Sequence, residues 1–113
     1  MRIPWWQWWP FQAWRCVGMA ESADEIPVRL PRHGAALVGS PGRFKWVGFD
    51  CPCGSGHRVL LNADPGRQPA WQVILSSRGR LSLIPSVDQR DRGRRCHYVV
   101  RNGKVIWVKD AEQ

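Results

Sequence analysis

From Ala35 onward the chain sets short apolar runs, rich in Val, Ile, Leu, Phe and Trp, between clusters of Gly, Pro, Asn and Asp. Runs of that length and composition are those of β-strands. The pattern predicts strands at Ala36–Val38, Phe44–Phe49, Arg58–Leu61, Trp71–Leu75, Leu81–Ile84, His97–Arg101 and Lys104–Val108. Asn102-Gly103, between H-Y-V-V-R and K-V-I-W-V, marks a hairpin, because both residues tolerate the positive φ of a type I′ turn. Ser77-Arg78-Gly79 is expected to close another hairpin, between W-Q-V-I-L and R-L-S-L-I. With no internal repeat and no amphipathic helix, the expected fold class is mainly β, a small antiparallel meander or open barrel.

Two upstream stretches stand apart. M-R-I-P-W-W-Q-W-W-P-F-Q-A-W-R holds five of the eight tryptophans, and Pro4 and Pro10 oppose one long helix through it. Its rings either form an interfacial anchor, since Trp joins a large apolar area to a polar N–H, or cover a sheet face of their own domain. Residues 20–33, with Pro27 and Pro31, look like an extended connector, and His33 there is read as a solvated loop residue without a role. The organisation expected is a Trp-rich N-terminal arm at 1–19 and a β domain at 20–113.

At 113 residues the chain is expected to form one compact unit, small enough to benefit from a staple. Hydrophobic residues at 43% and charged residues at 23% exclude wholesale disorder. A net charge of +8 favours an anionic partner, whether nucleic acid, an anionic membrane surface or an acidic protein face. The run D-Q-R-D-R-G-R-R puts Arg90, Arg92, Arg94 and Arg95 on what is expected to be one loop, near Arg78 and Arg80, suited to bidentate contacts with phosphate or carboxylate. It lacks the interleaved aromatic residues that base stacking needs. No run of about 18 apolar residues and no secretory signal pattern is present, so a cytoplasmic location is expected. In that compartment clustered cysteines are read as metal ligands or reactive thiols.

The cluster is C-P-C-G-S-G-H, residues 51–57. Its glycines let the backbone curl around thiolates, and cysteines so close strain a mutual disulfide. A tetrahedral Zn²⁺ site needs four N or S ligands, which Cys96 with His57 or His97 would complete. Adjacent side chains on a strand point to opposite faces, so Cys96 and His97 do not easily share an ion. That favours Cys51, Cys53, His57 and Cys96 as the structural zinc set. Cys16 has no companion ligand and is expected to be buried among the tryptophans.

Taken in order, F-D-C-P-C-G-S-G-H-R-V-L-L-N, P-A-W-Q-V, S-L-I-P-S-V and C-H-Y-V-V-R-N-G-K-V-I-W resemble a bacterial family of small cysteine-bearing domains, often encoded beside relatives of ubiquitin-activating and ubiquitin-conjugating enzymes. The resemblance runs from about Ile26 to Trp107 and leaves out the Trp-rich start. In the family pattern, C-x-C-G-C-G precedes a later cysteine and an H-[YF] pair. Here Ser55 stands for the third cysteine, which leaves His57 as the substitute ligand, and Cys96 directly precedes the histidine. The resemblance implies a serine-type peptidase that trims or removes a ubiquitin-like protein, with Ser86 and His97 as its partners in chemistry. A serine hydroxyl needs a neighbouring base, and histidine suits that task. Asp88, Asp91 and Asp50 are candidates to orient His97, backbone N–H groups near Gly54, Gly56 or Ser86 could form an oxyanion hole, and Ser55 is a second candidate nucleophile. The alternatives are a non-catalytic zinc module that recruits a protein or nucleic acid, and a membrane-surface arm on an inert domain.

Overall fold

The computed structural model describes residues 1–109. Eight strands form two four-stranded sheets in chain order, β1 (Arg15–Ala20), β2 (Gly34–Ser40), β3 (Arg43–Asp50) and β4 (Arg58–Asn62), then β5 (Gln72–Leu75), β6 (Leu81–Asp91), β7 (Arg94–Arg101) and β8 (Lys104–Trp107). The mainly β expectation holds, as two sheets with no closed barrel among the described residues. All neighbours are antiparallel except β1 and β2, which run parallel.

Sequence reading missed β1. R-C-V-G-M-A has few strong strand formers and follows directly on the tryptophans, so it reads as part of the arm. Its strand conformation comes from pairing with β2, and the division at 19/20 therefore falls inside a sheet strand. Between β1 and β3, β2 also has both faces covered: Ala35 and Leu37 join the main core, and Ala36 packs with Val17 and Leu30 on the other side.

The facing sides of the two sheets supply one core. Leu37, Val47, Phe49, Val59 and Leu61 come from the first, and Leu81, Leu83, Val87, Tyr98 and Val100 from the second. Trp14 plugs one end of this core, edge-on to Phe49 at 5.7 Å and stacked on His33 at 4.9 Å. His33 is thus no solvated loop residue. It adopts φ 61° and its Nδ1 lies 2.8 Å from the Gln12 carbonyl, so it fastens the chain entering β1 to the connector. Cys16 packs partly buried at the edge of the main core, away from the other cysteines, and burial raises its thiol pKa.

Three hairpins shape the second sheet. Asn102 and Gly103 take φ 47° and 81°, as their turn requires, and Ser77–Gly79 closes β5 onto β6. The third overturns the loop expectation for the basic run: Arg90, Arg94 and Arg95 lie on paired strands, and Arg92-Gly93 alone turns the chain, at φ 51° and 81°. The eleven-residue β6 separates that turn from Arg78 and Arg80, which lie at its other end. A charge run hides a hairpin because arginine is a poor marker for positive φ.

Gly103 has a further constraint. A Cβ there would sit 2.8 Å from Ala13 Cβ and 3.0 Å from the Trp14 carbonyl, and the Trp14 amide donates to the Gly103 carbonyl at 2.9 Å. Gly103→Ala is expected to cost about 2 kcal/mol or more, through strain and this close approach together. Urea unfolding checks it; an unchanged midpoint would contradict the packing.

Candidate functional site

Two groups of reactive side chains occupy opposite faces of the β6–β7 ladder. Register explains the division. Leu83 pairs with Val100 and Val87 with Tyr98, so Ile84, Pro85 and Ser86 stand opposite Val99 alone. Pro85 has no N–H to give the ladder, and the strand survives it by bulging. Beyond the bulge, Val87 points into the core, while Ser86 and Asp88 share the outer face with His97 and Val99.

On that outer face Ser86 Oγ lies 3.0 Å from His97 Nε2, and both residues are only partly buried. The carbonyl of Ser86 accepts a hydrogen bond from the Trp71 indole at 3.2 Å. Asp88 stands directly across the ladder from His97. Arg95 grips the Asp88 carboxylate with two nitrogens, at 2.9 and 2.6 Å, and this contact, with lesser attraction from His97 and Arg90, holds its pKa below the ordinary carboxylate range. Of the other candidate acids, Asp50 is paired with Arg58 at 2.8 Å, and Asp91 lies 3.4 Å from His57 on the core side. A groove of about 620 Å³ is lined in part by Phe44, Val73, Ile84 and the same Trp71 that holds the Ser86 carbonyl.

On the core face the sequence-derived ligand set assembles. One donor atom from each of Cys51, Cys53, His57 and Cys96 lies within 4.8 Å of the others. Cys51, Cys53 and His57 come from the β3–β4 connection, and Cys96 from β7 in the other sheet. An ion here would join the two sheets. Strand alternation keeps Cys96 buried and turns His97 outward, as the sequence argument required. The connection curls because the Cys51 amide donates to the His57 carbonyl at 2.9 Å and the Gly54 amide to the Cys51 carbonyl at 3.2 Å.

These residues fit a metal ion chemically. No disulfide joins the cysteines, and His57 Nε2 is buried without a hydrogen-bond partner while Nδ1 meets Ser55 Oγ at 2.7 Å, Asp91 at 3.4 Å and Cys53 Sγ at 3.8 Å. One imidazole nitrogen on a polar neighbour and the other unsatisfied is the usual condition of a ligating histidine. Burial raises the thiol pKa values of Cys51 and Cys96. Burial also opposes ionisation of Cys53, but hydrogen bonds from Ser55 and from the other two thiols outweigh it and bring its pKa below the ordinary value. Burial, then the neighbouring sulfurs, raises the pKa of Tyr98, whose hydroxyl is itself buried without a partner. A divalent cation would supply the charge that lets several thiolates share this space.

Ser55 also meets an imidazole, His57. That histidine belongs to the cysteine cluster, whereas His97 does not, so the independent hydroxyl–imidazole couple is Ser86 and His97. The Gly54 amide, a candidate oxyanion donor, is engaged with Cys51.

A hydroxyl on an imidazole nitrogen, in reach of solvent, is the arrangement that serine hydrolases use. A family model described as the bacterial ubiquitination-like system serine protease (BubE) matches residues 22–108, and the chain belongs to that family. No curated protein and no solved structure matches it. No helix among the described residues is long and apolar enough to cross a membrane.

Proposed function

We propose that this chain is a peptidase that processes or deconjugates a ubiquitin-like protein, with Ser86 as nucleophile, His97 as base and a structural zinc held by Cys51, Cys53, His57 and Cys96. The observation that carries this reading is the 3.0 Å contact between Ser86 Oγ and His97 Nε2 on a face open to substrate. His97 Nε2 takes the hydroxyl proton as Oγ attacks the scissile carbonyl, then returns it to the leaving amine; water releases the acyl group by the same route. The Ser86 N–H, in the bulge outside the regular ladder, is the donor assigned to the developing oxyanion. Asp88, across from His97, stabilises the imidazolium by its charge. Trp71 holds the Ser86 carbonyl and fixes the bulge. The groove beside Trp71 and Ile84 suits an extended tail leading to the scissile bond.

Zinc follows from three thiols and one imidazole, a tetrahedral N/S set. Bound there, it would clip the two sheets together, and with four protein ligands it would leave no position for an activated water. The family supports a ubiquitin-like partner, and the basic hairpin is left as a face for acidic protein. Arg95 is already committed to Asp88 there, and nothing in the hairpin adds to the nucleic-acid reading. A cytoplasmic setting, reducing enough to keep the thiols, belongs to the same proposal.

The test is incubation with a ubiquitin-like protein carrying a C-terminal extension, followed by treatment with a fluorophosphonate. Cleavage at the extension and a covalent adduct on Ser86 by peptide mass spectrometry are expected. Neither cleavage nor adduct would leave a binding module in place of an enzyme.

A further inference from the structure

We infer that the segment from Trp5 to Phe11 is a preformed docking surface for an anionic lipid bilayer. Trp5 is 84% exposed, Phe11 82%, Trp9 61% and Trp6 52%, an aromatic patch far larger than scattered surface residues produce. The same chain buries Trp14 to 6%, so the other rings are not exposed for want of a core.

The patch is held in place. Residues Trp5–Trp8 form a 3-10 turn whose Gln7 faces inward, where the buried Arg15 guanidinium binds the Gln7 side chain at 2.6 Å and its carbonyl. Gln12 donates to the carbonyls of Trp6 at 3.0 Å and Trp9 at 3.3 Å. The rings are therefore ordered before contact, which lowers the entropic cost of binding.

Charge points to lipid rather than to an apolar protein face. Residues 1–20 contain no Asp or Glu. Exposed Arg29 lies over the Trp8 ring at 5.1 Å, and the Arg32 carbonyl is held by the same Arg15 that holds Gln7. The first acids, Glu21, Asp24 and Glu25, follow the far end of β1, where Met1 packs against Gly18, while the tryptophans sit at its start. Indole rings prefer the boundary between headgroups and acyl chains, and arginines beside them meet lipid phosphate. The segment precedes the family-matched region and does not depend on the peptidase reading.

Co-sedimentation of the full chain with phosphatidylcholine vesicles, with and without phosphatidylglycerol, tests this. Roughly thirtyfold stronger partition onto the anionic vesicles is expected from Arg29 and Arg32 together. Combined Trp5→Ser, Trp6→Ser and Trp9→Ser should weaken partition by about tenfold or more, with circular dichroism unchanged. Should that variant misfold, Arg29→Glu with Arg32→Glu decides, by abolishing the preference for anionic vesicles. Full-length protein that stays in the supernatant, or variants that bind like the parent, overturn the inference. Self-association through the same rings without vesicle binding overturns it in favour of a protein interface.

Discussion

Replacing Ser86 with alanine is expected to lower kcat for cleavage of a C-terminally extended ubiquitin-like protein by about 10⁴-fold or more, with little change in KM. On the proposed reading the hydroxyl contributes to the reacting state and hardly to binding, which is assigned to the groove lined by Trp71 and Ile84. His97→Ala should cost a comparable factor, and the double variant little more, because a nucleophile and its base act as a unit. Ser55→Ala is the informative control. Ser55 also touches an imidazole, yet its loss should leave turnover within about threefold, since His57 belongs to the cysteine cluster. Full activity in Ser86→Ala together with loss in Ser55→Ala would transfer the chemistry to the cysteine connection. Similar circular dichroism spectra and Tm for all variants would show that the losses of turnover are not losses of fold.

Metal removal should have the second large effect. Elemental analysis of the purified chain is expected to find about one zinc per molecule, and Cys96→Ser to destabilise it by about 4 kcal/mol or more, lowering Tm by roughly 15 °C. The reason is placement: Cys96 is the only member of the cluster from the second sheet, so its loss unfastens the sheets and leaves buried thiols without compensating charge. Acid should release the ion as protons compete for the thiolates. Cys16→Ser, remote from the cluster, should shift stability by only about 1 kcal/mol. Equal Tm values for Cys96→Ser and the parent, or protein purified without metal and fully stable, would remove zinc from the fold.

The grouping of the three cysteines with His57 was legible from local rules. Cys51, Cys53 and His57 lie within seven residues, and strand alternation alone separates Cys96 from His97; both facts survive folding because they concern neighbours in the chain. The Asn102-Gly103 turn was legible for the same reason. Strand β1 was not, because R-C-V-G-M-A has little propensity of its own and becomes a strand only against β2. Nor was His33, whose role depends on Trp14 arriving from another part of the chain.

The site divides along the same line. Residue types determined that a hydroxyl, an imidazole and a four-donor set were available, and the alternating pleat determined which could share a face. Tertiary structure decided that Pro85 would be absorbed in a bulge, that Ser86 would thereby meet His97, that Asp91 would face His57, and that five N-terminal aromatic rings would face water. Each of those outcomes depends on register and packing between segments distant in sequence, where small differences in contact energy choose among arrangements that local pattern leaves equally open.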